Sequence, residues 1–268
     1  MNEVLQKIIL GIIQGLTEFI PVSSSGHLEI AKVLLGDVSE LESESLMTTV
    51  VLHFATALAT MVVFRKDIVE LVKNLFSGED KGSRRFALAI VLSMIPAVFV
   101  GLVFEKQIDA MFSGQLLLVG TGLLITGGLL LLADKAKTTD REVSPVLGFL
   151  IGLAQMVAIL PGISRSGSTI ATSVLLKVDR EKAARFSFLM VIPLIFGKIC
   201  KDLIYGDLWA NETLVWPLIA GFTASFLVGI LACTWMIQMV KRSKLYYFTI
   251  YCVLAGVFSF VLHYFVHG

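Results

Sequence analysis

The sequence predicts an all-α polytopic membrane protein with an inverted-topology repeat, each half a re-entrant helix hairpin plus three transmembrane helices. Three observations predict it. The chain is 56% apolar and only 16% charged, against about 45–50% and about 25% in soluble domains. Six uninterrupted apolar runs are long enough to cross a bilayer, which takes about 20 residues per helix. Two further apolar runs, half a chain apart, are each broken by a proline and a Ser/Gly-rich turn.

The elements follow in order within a single membrane domain, 1–268. A hairpin at 4–35 opens the first repeat (1–133): the run 4–20 enters "PVSSSGH" and resumes as "LEIAKVLL". Spans at 48–64, 86–104 and 115–133 complete that half. The second repeat (144–268) opens with a hairpin at 146–177, where the run 146–160 meets "PGISRSGS" and resumes as "TIATSVLL". Spans at 183–199, 214–236 and 245–266 follow. Neither resumed piece is long enough to cross alone. Non-helical backbone at membrane depth survives only where protein or a watery cavity satisfies it.

Charge orients the chain. Arg and Lys collect at 65–85 (Arg65, Lys66, Lys73, Lys81, Arg84, Arg85), 135–141, 177–185 and 241–244. The stretch 37–44 carries Asp37, Glu40, Glu42 and Glu44 and no base, 105–114 has one lysine, and 201–213 is mixed. Basic loops belong inside. If both hairpins return to their own side, every basic loop falls inside and both termini outside. Full spans in their place would scatter the basic loops. The net charge of +1 gives no basic face, and no nucleic-acid partner is expected. The N-terminal run lacks a basic n-region, Glu3 standing there, so it is expected to be retained. Cys200, Cys233 and Cys252 show no ligand-like spacing and are read as packing thiols.

The two broken runs repeat. "GIIQGLTE" (11–18) and "GFLIGLAQ" (148–155) both read G-x-x-x-G-L-x-[EQ], and each precedes a proline and a Ser/Gly turn. Three spans per half is an odd number, so the halves insert with opposite orientation. Such folds place their sites at mid-bilayer, where broken helices point their ends at an anionic group. The two tips are therefore expected to meet.

The first tip offers Gln14, Glu18, Ser23, Ser24, Ser25 and His27, with Gln14 and Glu18 on one helix face. The second offers Ser164, Arg165, Ser166, Ser168 and Thr169. Arginine presents a fixed fork of donors that suits phosphate. A short helix after each turn begins with unpaired N–H groups, an anion site in itself. Glu and His supply an acid/base or metal-ligating pair, and Ser a nucleophile. The set points to phosphate chemistry on something reached from within the membrane. Weighed against this, Glu18 and Arg165 could form a merely structural pair, His27 could cap a turn, and Ser23, Ser25 and Ser168 could glue helices together. His53 lies in a span, either facing the site or packed away from it. "TGLLITGG" (121–128) reads as close helix packing.

"QGLTEFIPVSSSGHL" and "PGISRSGST" closely resemble the two signature motifs of the undecaprenyl pyrophosphate phosphatases, also called bacitracin resistance proteins. The resemblance covers essentially the whole chain. It implies hydrolysis of undecaprenyl diphosphate to the monophosphate plus inorganic phosphate, which recycles the lipid carrier of cell-wall synthesis. It also implies a multi-pass protein of the bacterial plasma membrane, with the site opening to the outer face, and it allows a homodimer. The family's [EQ]-x-x-x-E motif falls on Gln14 and Glu18, its motif serines on Ser23 and Ser24, its histidine on His27 and its phosphate-gripping arginine on Arg165. Many members carry glutamate where this chain has Gln14. The resemblance further implies a divalent cation, Mg²⁺ or Ca²⁺, on Glu18, alone or with Gln14.

The expected mechanism has Arg165, Ser164, Ser166, Thr169 and the hairpin N–H groups holding the diphosphate, with Gln14, Ser23 and Ser25 beside it. Glu18 binds the cation or orients water. Ser24, His27 or water attacks the terminal phosphorus. The competing class is a transporter that carries an anion or flips a lipid phosphate with the same tips. A scaffold subunit would leave Glu18, His27 and Arg165 unexplained.

Overall fold

The structure is a computed structural model and describes residues 2–35, 42–77, 80–111, 115–137, 139–205, 215–242 and 244–267. Much of the acidic stretch expected at 37–44, the end of the 105–114 loop, most of the 201–213 loop and the start of the span at 214 lie outside the described residues.

Among the described residues the chain forms helices α1 (Glu3–Thr17), α2 (Ser24–Leu35), α3 (Glu42–Val63), α4 (Arg65–Ser77), α5 (Lys81–Val103), α6 (Glu105–Ala110), α7 (Leu116–Asp134), α8 (Pro145–Val157), α9 (Arg165–Leu175), α10 (Arg180–Tyr205), α11 (Val215–Lys241) and α12 (Tyr246–His267). α5, α7, α10, α11 and α12 are each long and apolar enough to cross a membrane. The expected span at 48–64 falls in α3, which qualifies together with α4 across a 75° bend. The protein is thus a polytopic, all-helical membrane protein. The stretch 65–77, expected only as part of a basic loop, is the helix α4, with exposed Val69 and Phe76 beside Arg65 and Lys66.

The two broken runs each fold into a helix–turn–helix hairpin, and local chemistry explains both. Asn2 caps α1 through its side chain, which accepts from the Val4 N–H at 3.0 Å. α1 ends before Pro21, which has no N–H to donate. Ser23 then takes a left-handed φ of 70°, and its Oγ accepts the Gly26 N–H at 3.2 Å to start α2. In the second hairpin Ser144 caps α8 with Pro145 following, where a missing N–H costs nothing. After Pro161 the chain turns at Gly162, φ 82°. Ser164 then caps α9 by accepting the Gly167 N–H at 3.0 Å.

Small residues set the helix seams. Gly11 and Gly15 of α1 lie against the backbone of α11 at Gly221 and Ser225. Gly148 and Gly152 of α8 lie against Ala89 and Ser93 of α5. These are the glycines of the two G-x-x-x-G motifs, and each lets two backbones approach closely where lipid gives no hydrophobic drive. α7 packs on α12, and α3 on α10 and α11. Around the seams, Phe19, Ile151, Ile170, Phe186, Phe188 and Met190 form a continuous buried core. Gly122, inside "TGLLITGG", lies against the Pro161–Ile163 backbone. That stretch is close packing, as expected, and its partner is the second hairpin tip.

Candidate active site

The tips meet. Glu18 stands at the end of α1, just 7% exposed, and Arg165 is the first residue of α9. Nη2 of Arg165 donates to Oε1 of Glu18, and Nη1 donates to the Ser187 carbonyl of α10 at 3.1 Å. The other carboxylate oxygen, Oε2, accepts from Ser24 Oγ at 2.8 Å and from Gln14 Nε2 at 3.0 Å. His53 of α3 brings Nε2 to 3.7 Å from the same Oε2.

A cavity of about 190 Å³ opens at this junction. Glu18, Ser24 and Ser25 line it from the first hairpin, Ser164, Arg165 and Ser166 from the second, and His53 from α3. Ile159, Val191 and Ile195 give it an apolar wall. Removing both charges of a buried ion pair from water is expensive unless further hydrogen bonds satisfy them. Here Ser24, Gln14 and the Ser187 carbonyl provide those bonds. A guanidinium at the first turn of a helix, beside the unpaired N–H groups of that turn, makes one face of the cavity a phosphate site.

Several expected residues stand elsewhere. His27 does not line the cavity. Its Nδ1 bonds the Ser23 carbonyl at 2.8 Å, its Nε2 meets the Tyr251 hydroxyl at 2.8 Å, and the two rings stack at 5.5 Å. Starting three residues after Ser24 on a helix, it emerges on the α12 side of α2. The imidazole at the cavity belongs to His53 instead. Thr169 is buried behind Arg165, its hydroxyl 2.6 Å from Ser187 Oγ and donating to the Arg165 carbonyl at 2.9 Å. Gln14 is fully buried behind Glu18, and Ser23 is committed to the turn. These three brace the site and do not face it. Ser168 is buried outside the lining.

The donor set does not fit a protein-held divalent cation. Among the described residues no three His, Cys, Asp or Glu side chains converge as a metal site. Both oxygens of Glu18 already accept donors, one of them a guanidinium. A cation there would face that positive charge with a single carboxylate, since position 14 contributes an amide.

Thr126 of α7 is a functional neighbour that motif reading overlooked. Its Oγ1 accepts the Ser164 N–H at 2.9 Å, so α7 fixes the start of α9. Only its place inside "TGLLITGG" could have drawn attention to it. Ser187 and Tyr251 carried no signal in the sequence at all.

The chain matches the family model described as bacitracin resistance protein BacA over residues 7–258. It is 58% identical over 262 residues to the undecaprenyl-diphosphatase of Christiangramia forsetii, covering 98% of this chain and 99% of that one. It is 46% identical over 261 residues to the undecaprenyl-diphosphatase of Bacteroides fragilis (96% and 97% covered). It is 38% identical over 264 residues to that of Korarchaeum cryptofilum (95% and 97% covered). With two hairpin tips joined through Glu18 and Arg165, and with a family match over nearly its whole length, the chain belongs to the bacitracin resistance protein BacA family.

Proposed function

We propose that this chain is an integral-membrane phosphatase that hydrolyses undecaprenyl diphosphate to undecaprenyl phosphate plus inorganic phosphate. That reaction recycles the lipid carrier of cell-wall synthesis and underlies bacitracin resistance. The observation that carries this reading is the Ser24 hydroxyl donating to Glu18 at 2.8 Å, while the same carboxylate holds Arg165. A carrier needs an anion grip alone. A hydroxyl bonded to a buried carboxylate beside that grip is a nucleophile with its base.

The chemistry follows from that arrangement. Arg165, Ser166 and the first N–H groups of α9 hold the diphosphate. Charge spreads over the phosphoryl oxygens in the transition state, where fixed donors act most strongly. Ser24 Oγ attacks the terminal phosphorus, its proton passes to Glu18, and undecaprenyl phosphate leaves. Water then releases phosphate from Ser24. The cavity of about 190 Å³ suits the head group, and the prenyl chain extends between helices into lipid. An Mg²⁺ or Ca²⁺ would come with the substrate's diphosphate and would supply charge neutralisation there.

The two halves are read as an inverted repeat, 1–133 and 144–268. The reciprocal seams support this: α1 of one half packs on α11 of the other, and α8 on α5. The basic connections then face the cytoplasm, both termini face outward, and the site opens to the outer face of the bacterial plasma membrane. Detergent-purified protein is expected to release phosphate from a prenyl diphosphate, and Ser24→Ala, Glu18→Ala and Arg165→Ala to lose at least about a hundredfold. Parental rates in all three variants would overturn the assignment.

A further inference from the structure

Among the described residues His53 is the one imidazole in the cavity lining, and its surroundings determine what it can do. Its Nδ1 lies 2.8 Å from the Thr49 carbonyl. A carbonyl only accepts, so Nδ1 carries a proton, and in the neutral tautomer that this leaves Nε2 presents a lone pair. That lone pair faces Glu18 Oε2, itself an acceptor, at 3.7 Å. Two acceptors at this separation do not bond each other. They suit one donor with two protons. A water about 2.8 Å from each would give one hydrogen to each, close to Ser24 Oγ, which stands 2.8 Å from the same Oε2.

We propose that His53 Nε2 and Glu18 Oε2 together hold the water that hydrolyses a phosphorylated Ser24, with His53 taking its proton. The inference rests on the double-displacement reading above. In the first step Ser24 Oγ bonds to phosphorus, the bond from phosphorus to the bridging oxygen breaks, and the Ser24 proton passes through Glu18 to the departing prenyl phosphate, so Glu18 is an acceptor again. In the second, the water oxygen bonds to phosphorus, the bond from phosphorus to Ser24 Oγ breaks, and the water proton on Glu18 passes through its carboxylate to Ser24 Oγ. The other water proton goes to His53 Nε2 and leaves with phosphate. His53 is then a catalytic residue of the second step alone.

The test uses full-length protein in detergent and a short prenyl diphosphate labelled in its terminal phosphate, with acid-quenched time points. In His53→Ala the first turnover proceeds: prenyl monophosphate appears in a burst of about one per protein and the label stays on Ser24. Free phosphate release falls about a hundredfold, the usual contribution of a positioned base. His53→Gln, which keeps an acceptor oxygen but takes no proton, accumulates label to a lesser extent. The proposal is overturned if His53→Ala turns over at the parental rate without accumulating label. It is equally overturned if burst and turnover fall together, which marks a packing role. If Ser24→Ala releases phosphate at the parental rate and no protein takes label, the Ser24 reading fails first, and this proposal with it.

Discussion

Arg165 and Glu18 are 147 positions apart in the chain and joined in one ion pair. Each starts or ends a broken helix, so the contact closes two hairpins on one another. Among the salt bridges of the described residues Arg165 pairs with Glu18, and Glu18 otherwise meets just the His53 imidazole at 3.7 Å. Removing one leaves the other uncompensated in a dry setting. Glu18→Ala and Arg165→Ala should each lose at least about a hundredfold in kcat. The double variant should lose about as much as either single one, because the pair acts as a unit. Phosphate-release kinetics on the four proteins complete the cycle, and strictly multiplicative losses would contradict the coupling.

The three adjacent serines should separate by role. Ser24→Ala removes the hydroxyl on Glu18 and should abolish turnover. Ser25 lines the cavity with its Oγ 3.3 Å from that of Ser23, so Ser25→Ala should cost less than tenfold in kcat/KM. Ser23 sits at φ 70° with its Oγ on the Gly26 N–H. Ser23→Ala keeps the strained backbone and loses the cap, worth about 1 kcal/mol, so a lowered melting temperature is its main effect. Activity and thermal melts on the same preparations distinguish the three.

The second tip tolerates no side chain at its turn. Gly162 has φ 82°, and a Cβ there would run into the Val119 backbone of α7. Gly162→Ala should destabilise the fold by on the order of 1–3 kcal/mol through strain alone, with the clash added. Folded yield after size-exclusion chromatography reads this directly. Gly128, whose added Cβ would meet nothing within 4 Å, is the control, and Gly128→Ala should behave as the parent.

Tyr251 tests whether His27 acts at phosphorus. Nδ1 of His27 donates to the Ser23 carbonyl, so Nε2 is free to accept from the Tyr251 hydroxyl. Tyr251→Phe deletes one hydrogen bond worth about 1 kcal/mol and should change kcat less than tenfold. A loss as deep as that of Glu18→Ala would mean that the His27–Tyr251 pair belongs to the chemistry.

The crowded carboxylate predicts how the cation behaves. Protein alone, in equilibrium dialysis, should bind neither Mg²⁺ nor Ca²⁺ tightly. A non-hydrolysable diphosphate should bring the cation with it. Tight binding to the substrate-free protein would refute this.

Much of this was legible in residue order. Apolar runs marked all five helices now seen as spans, and Pro21, Pro161 and the Ser/Gly turns marked both hairpins, because a missing N–H and a left-handed turn act within a few residues. The motifs named Glu18, Ser24 and Arg165, which the fold brings together. The amphipathic α4 was hidden within a stretch read as a basic loop. His27 turns toward Tyr251 of α12 because a helical residue's direction depends on which neighbour its face meets. His53 stayed undecided for the same reason.

The sequence by itself thus determined the medium, the break points and the chemical types at the tips, since hydropathy, proline and glycine act locally. The tertiary structure alone decided which imidazole faces the carboxylate, which hydroxyls brace and which are presented, and how little room is left for a metal. Those depend on where helices far apart in the chain cross, and the crossings are set by the close seams at Gly11, Gly15, Gly148 and Gly152.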